Sequence, residues 1–203
     1  MKYRESGMPD ESLWDTFFTP TEILQQMGIG QQVKVLIDVG CGYGTFLVPA
    51  AGMVRDKVVG IDIDPAMIDI CRQKVRESGL AKIELVHGDI ATAETLHNLA
   101  KYKGQIDYVT LFNILHCEEP ITLLQKAHVL LSPGGRIGVI HWKNENTPRG
   151  PSMDIRPTPD MIIAWASQVG FDLDRQIDLP PYHFGLVFQK HEKGAALIRQ
   201  RQL

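Results

Sequence analysis

Short apolar runs alternate with longer amphipathic stretches along most of the chain. Val33–Val39, Lys57–Ile61, Ile83–Val86, Ile106–Leu111 and Arg136–His141 read as buried strands. Between them the spacing predicts helices over 44–53, 64–78, 91–100 and 121–131. Asp64-Pro65 is a helix start, with Asp64 as N-cap and Pro65 at the first helical position, and Gly79 ends that helix. A last helix over 158–169 leads to two further strands, Phe171–Leu179 and His183–Gln189. Strands alternating with helices of this length imply right-handed βαβ crossovers and a mostly parallel sheet, helices on both faces. The last two strands are joined by little more than Pro180-Pro181-Tyr182, too short for a crossover, so they pair antiparallel.

Two segments fall outside this pattern. Residues 1–30 carry Trp14, Phe17, Phe18 and two short helical patterns, and are expected to form a helical lid. Residues 142–157 form a long polar connection, a length that signals either a substrate-side loop or disorder. Both border the C-terminal ends of the strands, where open α/β sheets bind ligands.

Composition narrows the classes. The 203 residues suit one domain that buries most of its unfolded surface, so no disulfide or metal staple is required. A net charge of −3 argues against a main role in binding nucleic-acid backbones. Three dispersed cysteines with no C-x-x-C pair give neither a disulfide framework nor a zinc site, which fits a cytoplasmic protein. No signal-peptide pattern and no membrane-length apolar run is present.

The strongest chemical signal is Asp38-Val39-Gly40-Cys41-Gly42-Tyr43-Gly44, a glycine turn closing the first strand. Dinucleotide folds space such glycines G-x-G-x-x-G, and here the third comes one residue early. Asp38 repels a pyrophosphate and attracts an ammonium group. At the end of the second strand, Asp62 can accept from both hydroxyls of a ribose. Asp89, ending the third, can accept from an exocyclic adenine amine while the Ile90 N–H donates to the ring; alone, Asp89 reads as a helix cap.

Together these pieces resemble the class I S-adenosylmethionine-dependent methyltransferases. The matching runs are D-V-G-C-G-Y-G at 38–44, G-I-D-I-D-P-A-M at 60–67, H-G-D-I at 87–90, F-N-I-L-H at 112–116 and L-S-P-G-G at 131–135. The resemblance implies a Rossmann-like seven-stranded sheet of order 3-2-1-4-5-7-6 with the seventh strand antiparallel. It implies S-adenosyl-L-methionine as cofactor, its methionine part held at Gly40 and Gly42 with Asp38 near the amine. Asp62 then holds the ribose, Ile63 and Met67 line the adenine, Asp89 and Ile90 read its edge, and Asn113 touches the methionyl part. I-H-W-K at 140–143 and D-L-P-P-Y-H-F-G-L-V-F at 178–188 are similar to a branch of small bacterial and archaeal members. The cofactor half of that branch is similar to quinone-type small-molecule enzymes.

Methyl transfer needs a base only for acceptors that must lose a proton. Asn113, His116, His141 and Trp142 end the fourth and fifth strands, and a histidine is the natural base near neutral pH. His141 is preferred over His116 because it ends a strand facing the expected pocket; helix capping and a bonded wall position are the competing roles. Lys143, Arg149 and Arg156 either receive an anionic substrate or form a solvated face. Leu179-Pro180-Pro181-Tyr182 looks like the P-P-Y of amino-methylating nucleic-acid enzymes but stands in the wrong place, so it reads as a turn whose Tyr182 lines the pocket. The expected reaction is in-line methyl transfer to a small-molecule acceptor. A protein or RNA acceptor, and a non-catalytic cofactor-binding partner, are the alternatives.

Overall fold

The computed structural model describes residues 7–191; the ends of the expected single domain, 1–6 and 192–203, lie outside the described residues. Seven strands form one sheet: β1 (Val35–Val39), β2 (Lys57–Asp62), β3 (Ile83–His87), β4 (Ile106–Phe112), β5 (Arg136–Trp142), β6 (Phe171–Leu179) and β7 (His183–Lys190). Their order is β3-β2-β1-β4-β5-β7-β6, as the resemblance implies. β7 runs antiparallel to both β5 and β6, and the other pairs are parallel.

The parallel core explains the apolar runs. β1 is buried at every position because helices cover both faces of the sheet. On one face α2 (Pro20–Gln26), α3 (Leu47–Met53) and α4 (Pro65–Ser78) enclose a cluster containing Leu24, Leu47, Ile68 and Trp142. On the other, α5 (Ala93–Leu99), α6 (Pro120–Leu130) and α7 (Pro159–Val169) enclose Leu99, Leu124, Ile137 and Ile162. Each such aliphatic side chain contributes about 1.5–3 kcal/mol on full burial. At the outer edge, β6 is polar along its middle, with Asp172, Asp174 and Arg175 exposed or half-exposed, which blunts edge pairing.

Local chemistry sets the helix ends. The Asp64 carboxylate accepts from the Ala66 N–H at 2.8 Å to open α4, and Gly79 closes it at φ 64°. Thr158 caps α7 in the same way, and Gly170 ends it at φ 96°. The helix expected from Gly44 starts only at Leu47, because Gly40, Gly42 and Gly44 all hold positive φ and the Gly44 N–H turns back to the Cys41 carbonyl. β2, β4 and β5 run further than the apolar runs suggest, to Asp62, Phe112 and Trp142.

Residues before β1 form α1 (Glu11–Trp14), a 3-10 turn and α2. Tyr43 Oη donates to the Pro9 carbonyl at 3.2 Å, Thr45 Oγ1 donates to Asp15, and Lys74 pairs with Glu11. Residues 142–157 are organised rather than loose. Arg156 is buried inside them and donates to the carbonyls of Lys143, Glu145, Arg149 and Pro151. The Gly150 N–H donates to the Gly7 carbonyl at 3.3 Å, joining the two segments.

Candidate active site

A cavity of about 260 Å³ lies where β1, β2, β3, β4 and β5 end. Asp38, Gly40, Gly42, Asp62, Ile63, Met67, Ile90, Asn113 and His116 all line it. Asp89 and His141, named as site residues, do not. Asp89 is off the wall, its carboxylate accepting from the Ala91 N–H at 2.7 Å, while its neighbours Gly88 and Ile90 face the space. His141 is fully buried away from the cavity, correcting the expectation that it faces the pocket. Side chains alternate along β5, so Trp142 turns toward the cavity on the face of Ile140, and His141 points to the opposite face with Ile137 and Val139.

The polar half is preset. Asp62 accepts from the Gly42 N–H through one oxygen and from the Asp64 N–H through the other, each at 2.9 Å. Each oxygen keeps a second lone pair for a ligand hydroxyl. Thr110, across the β1–β4 pair, donates to Asp38 at 2.6 Å. Burial pushes the Asp38 carboxyl up to about 6, against the Thr110 hydrogen bond and with help from the Asp62 charge. Such a group is stabilised by a cation arriving beside it. Asn113 has a left-handed backbone at φ 56°, and both atoms of its buried side-chain amide are without a partner. An orphaned buried amide on a cavity wall is costly unless a ligand satisfies it. Ile63, 43% exposed, lines the cavity beside Met67 and forms an apolar shelf. A cation seat, a diol acceptor, an orphaned amide and an apolar shelf fit the amine, ribose, methionyl part and adenine of S-adenosylmethionine.

The other half is aromatic: Trp14, Phe46, Phe112 and Trp142 line it, with Phe46 and Phe112 ring centroids 4.8 Å apart. Phe17 and Phe18, expected in the helical lid, and Tyr182, expected to line the pocket, pack behind this layer. Phe18 lies against Trp14, Phe46 and His183, and Tyr182 stacks on Trp142. His116 is on the wall, its ring centroid 5.5 Å from that of His141. Burial, with His116 nearby, pushes the His141 imidazole down to about 3, against a backbone hydrogen bond at Trp142. It is therefore neutral at physiological pH and unsuited to take a proton. Arg156 and Lys143 are committed as well, one to loop carbonyls and one to Asp178 at 2.7 Å, so neither stands ready for an anionic substrate. Thr110, Phe46 and Phe112 were not visible as site residues: Thr110 is found only through its register with Asp38, and the two phenylalanines read as core.

Residues 36–135 match the model of the "Methyltransferase domain" family. The chain carries a class I S-adenosylmethionine-dependent methyltransferase domain. The chain is 28% identical over 119 residues to a demethylmenaquinone methyltransferase of Oceanobacillus iheyensis, covering 57% of this chain and 47% of that protein. It is 31% identical over 119 residues to a ubiquinone biosynthesis O-methyltransferase of Histophilus somni, covering 58% and 48%. The match thus spans about half the length of these curated relatives. A solved S-adenosylmethionine-dependent methyltransferase from Aquifex aeolicus shares the fold, with a TM-score of 0.76 at 22% identity over 89% of this chain and 93% of that one. Among the described residues no helix is long and apolar enough to cross a membrane.

Proposed function

We propose that this protein methylates a flat, uncharged small molecule at a hydroxyl or similarly acidic group, with His116 taking the proton. The observation that carries this reading is the make-up of the cavity beyond the polar half. His116 is the basic side chain in a lining whose acceptor side includes Trp14, Phe46, Phe112 and Trp142, and among the described residues no lysine or arginine lines the cavity. A carboxylate or phosphate acceptor would want a fixed cation there. A ring with a hydroxyl wants aromatic faces and one proton acceptor. Two of the relatives above carry names from quinone chemistry, which is consistent with such an acceptor.

S-adenosylmethionine, when bound, supplies an activated methyl group on a sulfonium. The protein's part is placement: Asp38, Asp62 and Asn113 fix the cofactor, the aromatic wall excludes water and aligns the acceptor for in-line attack, and His116 holds the proton it loses. Replacing His116 with Asn tests this. Turnover on a hydroxylated aromatic acceptor should fall about 10²–10⁴-fold, while S-adenosylhomocysteine binding, read by calorimetry, stays within twofold. Unaltered turnover in that variant would remove His116 from the chemistry.

A further inference from the structure

Residues 7–15 cross from one half of the cavity to the other. On the acceptor side the Gly150 N–H donates to the Gly7 carbonyl at 3.3 Å, and Trp14 stands in the aromatic wall, its ring centroid 6.3 Å from that of Trp142. On the cofactor side the ties run to the glycine loop. Tyr43 Oη donates to the Pro9 carbonyl at 3.2 Å, and Thr45 Oγ1 donates to the Asp15 carboxylate at 3.1 Å. Lys74 grips loop and strap together: its ammonium donates to the Tyr43 carbonyl at 2.7 Å and pairs with Glu11. Met8 completes the crossing, lining the cavity with its sulfur 3.8 Å from where a side chain on Gly42 would begin.

This strap takes its order from its surroundings. α1 is a single four-residue turn, and isolated helices shorter than about 12–15 residues are marginal in water. Trp14, Phe17 and Phe18 are buried, but between residues 7 and 13 only Pro9 is. The stretch before Trp14 therefore depends on its polar ties to the loop. The loop is itself adaptable, because Gly40, Gly42 and Gly44 all hold positive φ and glycine has the most backbone freedom to lose. A ligand seated on it removes that freedom.

We propose that Tyr43 is a positioning residue that couples the two halves of the cavity. Cofactor on the glycine loop steadies Tyr43, and its hydroxyl and the Lys74–Glu11 pair pass that order to residues 8–14. Trp14 is thereby fixed in the acceptor wall, so the acceptor side is completed behind a seated cofactor. By the same coupling the ordered strap strengthens cofactor binding by an equal factor. The inference rests on the cofactor reading of this loop.

The experiment is amide hydrogen exchange on the purified protein, with and without saturating S-adenosylhomocysteine, in the parent, Tyr43→Phe and Glu11→Ala. In the parent, S-adenosylhomocysteine should slow exchange over residues 11–18 at least about tenfold, together with residues 40–47. In each variant the slowing over 11–18 should shrink by about two- to tenfold, the worth of one hydrogen bond, while 40–47 remain slowed. Glu11 does not line the cavity, so its effect cannot come from a lost cofactor contact. A purely structural tie speeds exchange equally with and without S-adenosylhomocysteine and leaves the ratio unaltered; that result in both variants overturns the proposal. So does equal exchange over 11–18 in the parent with and without S-adenosylhomocysteine. Binding seen by calorimetry with no slowing at 40–47 overturns instead the placement of cofactor on this loop.

Discussion

The two halves of the cavity differ in how their residues are held. On the β1–β3 side the groups are short polar side chains at strand ends, each fixed by one or two hydrogen bonds: Thr110 to Asp38, Gly42 and Asp64 to Asp62. On the β4–β5 side the groups are aromatic rings that belong to the hydrophobic core at the same time. Trp14, Phe46, Phe112 and Trp142 line the cavity and also sit in the cluster that packs α2, α3 and α4 onto the sheet. Binding and folding are therefore separable in the first half and merged in the second. The family match, 36–135, covers the whole polar half and, of the aromatic lining, Phe46 and Phe112 but neither Trp14 nor Trp142.

Four perturbations sharpen or break the contrast, in descending order of effect. The loss of turnover in His116→Asn, about 10²–10⁴-fold, is the largest, and marks the one acceptor-side group whose work is separable from folding. Next is Phe18→Ala, behind the wall. Removing a ring packed on Trp14, Phe46 and His183 should cost about 3–5 kcal/mol of stability, read by denaturant unfolding. A variant that melts like the parent would mean that the aromatic layer is not core. Third, Asp62→Ala should weaken cofactor binding at least about tenfold, since charge-assisted hydrogen bonds are worth roughly 1.5–3 kcal/mol each, with the melting temperature little changed. Equal affinity in the folded variant would leave Asp62 with only its loop contacts.

The smallest effect is a pH dependence. Burial pushes the Asp38 carboxyl up to about 6, above its ordinary value of 3.8. Its contribution to folding is thus fully present below 3.8 and lost as pH rises through about 6, when the charge appears in a buried place. Cofactor binding has the opposite sign, because an ammonium needs the charged form. Affinity should be flat above about pH 6 and fall by up to about tenfold per unit below it. Asp38→Asn should remove that slope. A slope that survives the substitution assigns the titration to another group.

The sequence reveals the polar half well because each of its residues is tied to a local event. A strand ends, a glycine turn or helix cap follows, and the carboxylate sits at the junction, as Asp38 and Asp62 do. Asp89 has the same local signature but spends a carboxylate oxygen on the Ala91 N–H and stays off the cavity wall, the capping role that it suggests when taken alone. The aromatic half has no local signature. His141 and Trp142 differ by one position, and the alternation along β5 decides which of them meets the cavity. Thr110 needs the β1–β4 register to be known, and Phe46 looks like any other core residue until the fold closes around it.

Arg156 gives the 142–157 segment a particular freedom. All four of its acceptors are main-chain carbonyls, at Lys143, Glu145, Arg149 and Pro151. The pin therefore reads the path of the loop and is indifferent to most of the side chains along it. Substitutions at Glu145 or Arg149 leave the acceptor oxygens where they are, whereas an inserted or deleted residue shifts them out of reach. Over evolutionary time, or in a library built at the bench, this stretch can be rewritten in letters while its length stays constant.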